Sequence, residues 1–241
     1  MAKRRHFLVL HARHGRVIAL AALLVGGGCI EASATTIGMF DMSGTVTISP
    51  TAITWSDQGS ANSFTLTNGS ESFASSGGSN TVDSLNLAVD PVNTQFAAQT
   101  FISFTQDPAL PDLDINFIDP GVFASAQCSA TPPAPGQVCT PTGSLFSLQN
   151  VSLGGTTGSE VNWTFSGVTS DGLSAWTALF TTQLNVPYQT FLSEMANGTS
   201  ASYGARVTVE PITTPVPEPA SMVLLGSGLG AAMLRLRRRK A

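Results

Sequence analysis

The stretch Val161-Asn162-Trp163-Thr164-Phe165-Ser166-Gly167-Val168 decides the fold class. Large apolar side chains at 161, 163 and 165 alternate with Asn162, Thr164 and Ser166, the period of two that puts one strand face in a core and the other toward water. Residues 176–184 repeat the pattern, with Trp176 and Phe180 on one face. Working outward, residues 45–48, 63–67, 112–118 and 206–209 also alternate. Asn68-Gly69 and Asp171-Gly172 supply turn chemistry between such runs. Only residues 188–195 suggest a turn of helix, with Phe191, Leu192 and Met195 at helical spacing and Asn197-Gly198 as the stop. Residues 35–212 therefore read as one all-β domain of roughly eight to ten strands. We expect an antiparallel β-sandwich, jelly-roll or immunoglobulin-like, with Val161, Trp163 and Phe165 on one inner face and Trp176 and Phe180 on the other.

Charge is distributed as unevenly as hydropathy. Of eleven Lys and Arg residues in 241, five precede residue 17, five follow residue 234, and Arg206 alone lies between. Residues 35–216 pair that one cation with thirteen acids, a net charge of −12, which excludes a nucleic-acid partner. The three histidines all fall within the first fourteen residues, so the central segment has no imidazole for catalysis or metal binding.

The ends read as targeting segments. Residues 1–34 have a basic start, a nine-residue apolar run at 17–25 and the small-residue site Ala32-Ser33-Ala34, the layout of an export signal cleaved after Ala34. The run is too short for a stable membrane span of about twenty residues. Arg4-Arg5-His6-Phe7-Leu8 is similar to a twin-arginine motif, although an ordinary basic region explains it as well. Gly28-Cys29 is a weaker match to a lipoprotein site, because Gly26 stands where a larger apolar residue is usual.

At the other end, Pro217-Glu218-Pro219 precedes an apolar run over 222–234 and then Arg235, Arg237, Arg238, Arg239 and Lys240. This tail resembles the PEP-CTERM sorting signal. The resemblance implies an exported bacterial protein recognised by an exosortase, a membrane enzyme of the transpeptidase kind often found alongside exopolysaccharide production. Physically, residues 213–219 form a Pro-rich linker and residues 220–241 one short membrane helix with a basic end. Fifteen residues, 220–234, make about 22 Å of helix against a hydrocarbon core of about 30 Å. The basic end holds the C-terminus in the cytoplasm and leaves Pro217-Glu218-Pro219 outside, where an enzyme can reach it. A permanent C-terminal anchor is the competing reading. Gly226-Ser227-Gly228-Leu229-Gly230-Ala231 has dinucleotide-loop spacing, but the chain ends before a second strand could follow.

Within the β domain, Cys128 and Cys139 are the cysteines left once the signal is removed, and an oxidising compartment predicts their disulfide. Asp107, Asp112, Asp114 and Asp119 cluster within thirteen residues. The first reading is a solvated face opposite Leu113, Ile115 and Phe117. The second is a set of hard oxygen ligands for Ca²⁺, the one candidate cofactor in a domain otherwise expected to carry none. A glycosidase pair at Asp112 and Asp114, about 7 Å apart along a strand, is the third. Trp55, before Ser56-Asp57-Gln58-Gly59, is the one tryptophan placed like a loop platform for a sugar. Asn68, Asn150, Asn162 and Asn197 each open an N-x-[ST] sequon.

These readings converge on a non-enzymatic protein, held transiently in the inner membrane and then delivered to the cell surface or extracellular matrix. Its expected partners are an exosortase-type enzyme and, outside, exopolysaccharide. The alternative is a carbohydrate-binding module, assisted by calcium. A secreted hydrolase comes third, for want of histidine, a Gly-x-Ser-x-Gly elbow or a reactive cysteine.

Overall fold

Eight strands follow one another around a closed ring, each hydrogen-bonded to the next and all antiparallel. The structure is a computed structural model that describes residues 38–212. The ring runs β1 (Gly38–Ile48), β4 (Ser63–Thr67), β5 (Gly78–Val82), β7 (Gln99–Ser103), β8 (Leu113–Ile118), β11 (Thr156–Thr169), β12 (Ser174–Leu184) and β13 (Thr199–Pro211), and β13 closes onto β1. This is an up-and-down meander. Two excursions leave it. The short strands β2 (Ala52–Asp57), β3 (Ser60–Ala61) and β6 (Leu85–Asn86) pair with one another and with the last residues of β1; β9 (Val138–Cys139) and β10 (Ser147–Leu153) extend the first half of β11. A helix α1 (Tyr188–Glu194) with a following 3₁₀ turn joins β12 to β13 and stops at Gly198, as the sequence predicts.

The all-β expectation holds, but the architecture is a barrel rather than a sandwich. In the register, Trp163 lies directly opposite Phe180 on adjacent strands of one sheet, with rings stacked 5.4 Å apart. The two faces expected to pack across a sandwich are therefore neighbours on one curved wall. A period of two reports that one face is buried; it does not report whether the facing wall is a second sheet or the same sheet curled round.

Side chains fill the interior. Phe40, Phe64, Phe73 and Phe104 form one aromatic group, with Phe40 and Phe73 centroids 4.8 Å apart. Trp55, Phe101, Trp163, Phe165, Trp176, Phe180 and Tyr203 form another. Trp55 belongs to the core and not to a loop: it is 2% exposed in β2, 5.0 Å from Phe180 and 4.9 Å from Tyr203. That corrects the sugar-platform reading, because the turn begins only after Asp57, two residues later. Such aromatic packing contributes beyond area burial, by about 0.5–1.5 kcal/mol per pair.

β8 departs from strict alternation. Ile118 pairs with Phe165, Phe117 with Ser166 and Ile115 with Gly167, so the strand carries one extra residue at this point. The bulge turns Ile118 inward and leaves Phe117 half-buried, contrary to the expectation that Leu113, Ile115 and Phe117 share the core face.

Candidate functional site

β11 is fourteen residues long, and its two edges have different neighbours. One edge pairs with β12 from Ser159 to Val168. The other pairs with β10 from Thr156 to Asn162 and with β8 from Phe165 to Thr169, so the wall forks at Trp163 and Thr164. Beyond Ile118 the chain leaves β8 and runs over this fork. Asp119 N donates to Thr164 O at 3.1 Å, Gly121 N to Ser144 O at 3.0 Å, Val122 N to Ser147 Oγ at 2.9 Å and Phe123 N to Thr140 Oγ1 at 3.0 Å.

Between this overhang and the outer face of β11 and β12 lies a groove of about 870 Å³. Asp119, Pro120, Val122 and Phe123 form one side. Glu160, Asn162, Thr164 and Ser166 of β11 with Thr177, Leu179 and Thr181 of β12 form the other, and Leu145, Ser147 and Trp163 complete the lining at the fork. Asn162 is fixed: its Nδ2 donates to Glu160 Oε1 at 2.8 Å and its Oδ1 accepts from Thr181 Oγ1 at 2.7 Å. Burial pushes the Asp119 carboxyl above the usual carboxylate range. Val122, 80% exposed, and Leu179, 51% exposed, give the walls apolar surface in contact with water. The buried indole of Trp163 finds no acceptor for Nε1 in the protein. Among the described residues, no Lys, Arg or His lines the groove. Arg206 sits one strand away, opposite Leu179, and is committed to Asp41 by bonds of 2.8 and 3.1 Å from Nε and Nη2. The groove therefore offers fixed hydrogen-bonding groups and apolar walls, with no imidazole or thiolate to activate a nucleophile.

The four clustered aspartates are not brought together as a ligand set. Asp107 sits in the turn after β7 and accepts from Ser76 Oγ at 3.3 Å; Asp112 precedes β8 and its carbonyl accepts from Ser170 N. Asp114 lies in β8, where its carbonyl accepts from Trp176 Nε1 at 3.0 Å and its Oδ1 is buried without a partner. Asp119 alone reaches the groove. Among the described residues, no three His, Cys, Asp or Glu side chains lie close enough to hold a metal ion. The bulge in β8 and the turn before it separate residues that are near in sequence. Neither Asp112 nor Asp114 lines this groove.

Cys128 and Cys139 form the expected disulfide, with Cα atoms 4.9 Å apart. Their loop is also held by amides. Asn150 Nδ2 donates to Gln137 Oε1 at 3.2 Å and Gln189 Oε1 at 3.1 Å, Asn150 Oδ1 accepts from Tyr188 N at 2.9 Å, and Tyr188 Oη donates to Gln127 O at 2.7 Å. Asn150 is fully buried and spent in this network, which removes it as a sequon; Asn68 and Asn197 are exposed.

Sequence reasoning missed Glu160, Asn162 and Thr181 as site residues. Their outward direction is legible from the alternation of β11 and β12, but the segment that covers them comes from residues 119–123, some forty to sixty positions earlier.

Ala34, the Pro217-Glu218-Pro219 motif and the expected membrane helix lie outside the described residues. Among those described, no helix is long and apolar enough to cross a membrane. Residues 215–239 match the family described as the PEP-CTERM protein-sorting motif. No curated protein and no solved structure matches the chain.

Proposed function

We propose that this chain is a non-enzymatic surface or matrix protein, a barrel delivered by its sorting tail and acting through binding or assembly. The match over residues 215–239 carries the reading: it marks an exported protein sorted by an exosortase. Two features of the barrel favour binding over turnover. Its interior is occupied by tryptophan and phenylalanine, leaving the outer wall as the surface on which a partner is met. Its central segment holds no histidine, and the hydroxyls of its groove stand beside amides and carboxylates.

In this reading the tail is a temporary stop. Fifteen apolar residues would make only about 22 Å of helix, shorter than the hydrocarbon core, and a basic end would hold the C-terminus inside while Pro217 and Pro219 would favour an extended segment outside the bilayer. The test is the C-terminal peptide of protein recovered from the surface or medium of an exosortase-bearing host. Mature chains should end near Pro219, and replacing Pro217, Glu218 and Pro219 by alanine should leave full-length chains in the inner membrane. Recovered protein that still ends in Arg238-Arg239-Lys240-Ala241 would make the tail a simple anchor.

A further inference from the structure

We propose that the groove at the fork of the barrel wall binds an uncharged, hydroxyl-rich saccharide. The argument begins with charge. Among the described residues, the lining includes two carboxylates, Asp119 and Glu160, and no cation, in a domain whose net charge is −12. A phosphate, nucleotide or acidic glycan entering it would meet like charge and find no guanidinium or ammonium to pair with.

A neutral sugar meets the groove's chemistry on each side. Its hydroxyls donate to the carboxylates and exchange hydrogen bonds with the Thr and Ser hydroxyls of β11 and β12. Asn162 is pre-set by its bonds to Glu160 and Thr181, so little ordering is left to occur on binding. The C–H faces of a pyranose ring need apolar surface beside those polar atoms, and Val122 and Leu179, two of the most exposed large hydrophobics of the domain, supply it on opposite walls. Trp163 closes the floor of the groove from the core side, 2% exposed and stacked on Phe180 in the barrel interior. The volume of about 870 Å³ falls within the roughly 300–1,000 Å³ of small-ligand sites. The fork supplies the concavity: β8 and β10 part at Trp163 and Thr164, and residues 119–123 form the raised rim.

The site depends on the surface-protein reading only for where the sugar would be met, and binding is read on purified protein whatever the fate of its tail. The exported protein is titrated calorimetrically with maltohexaose, cellohexaose and mannohexaose as neutral probes, with hexagalacturonate as the anionic control and hexaglucosamine as the cationic one. At least one neutral hexamer should bind saturably, with a change in tryptophan fluorescence. Affinity should fall by about tenfold or more in Asn162→Ala and in Leu179→Ser, the loss of one well-formed contact. Ser60→Ala, at the remote β2–β3 turn, should leave it unchanged. Leu179 is exposed on the outer face, so its variant keeps the test independent of folding. Absence of saturable heat with all three neutral hexamers overturns the proposal, as does binding that survives both groove variants. Preferential binding of either charged hexamer overturns it too, because the groove would then be recognising charge.

Discussion

Replacing Gly167 by alanine tests the closure of the barrel at its tightest point. Gly167 lies in the middle of β11, where β8 crosses with its bulge and Trp176 stands opposite on β12. A Cβ there would land on the carbonyl oxygen of Asp114 and 2.8 Å from Trp176 Nε1. Both atoms matter to the same hydrogen bond, since Trp176 Nε1 donates to Asp114 O at 3.0 Å and to Val168 O at 3.2 Å. The methyl forces β8 outward or turns the indole. Overpacking costs about 1–3 kcal/mol, and a buried indole N–H losing its better acceptor costs about 1–3 kcal/mol more. The lower entropy of alanine in the unfolded chain offsets about 0.4–1 kcal/mol. The expected net loss is about 1–5.5 kcal/mol, read as a lower urea midpoint at unchanged m, with tryptophan fluorescence as the probe. Gly204→Ala is the control: it also lies within a strand, β13, but nothing stands within 4 Å of its would-be Cβ, so its effect should stay within about 0.5 kcal/mol. A Gly167→Ala protein as stable as the Gly204→Ala protein would refute the placement of β8 against β11.

Three further outcomes follow from the same geometry. Cys128→Ser should lower stability by about 3 kcal/mol while leaving the far-UV circular dichroism unchanged, because Asn150, Gln137 and Gln189 still hold the loop; loss of the β signal would show the disulfide to be required for the fold. Burial raises the Asp119 carboxyl, so the folded state holds that proton more tightly than the unfolded chain, and stability falls as pH rises from 3.8 through the folded value. Asp119→Asn should therefore melt above the parent at neutral pH and level with it below about pH 3, and equal melting at neutral pH would remove the burial cost from the account. Trypsin should leave the native domain intact and, after denaturation, cut it once, since Arg206 is its one cleavable residue and lies in β13 with partners on both sides; rapid native cleavage there would mean the β13–β1 seam is open.

How much of this was legible in the sequence depends on which physical quantity a residue pattern encodes. Alternation in 161–168 and 176–184 gave strands and their inner faces, and β4 appears where Ser63-Phe64-Thr65-Leu66-Thr67 placed it. β5, β7 and β10 were unmarked, because Ser79, Asn80, Gln99, Gln149 and Asn150 dilute the apolar period. Asn80 is satisfied by the nearby carbonyls of Ser76 and Gly78, but buried Asn150 is satisfied by Gln137 and Gln189, thirteen and thirty-nine residues away, which no local window contains. The groove was hidden for the same reason: each wall reads as a solvated strand face until residues 119–123 are laid across it. The tail was the converse case. Its Pro-Glu-Pro triplet, short apolar run and arginine cluster act through composition and order, so the sequence displays them without any fold.

The meander also orders the molecule along its axis. Gly38 pairs with Val209 and Ser174 with Pro211, so the chain enters β1 and leaves β13 at the same end as the β11–β12 turn. β2 joins β1 at its last four residues, and β10 joins β11 at its first seven, which places both excursions, with the disulfide loop and α1 packed on β10 and β11, toward the opposite end. The groove lies between, where β10 gives way to β8. The described chain therefore leaves the barrel, after β13, at the end that carries the β11–β12 turn. Elements added to the far end or to the fork leave the exit strand β13 and its pairing with β1 and β12 unaltered. A closed wall whose neighbours are consecutive in sequence can accept such insertions at one end without disturbing the ladder at the other, because each added strand pairs only with the overhanging part of a strand already in place.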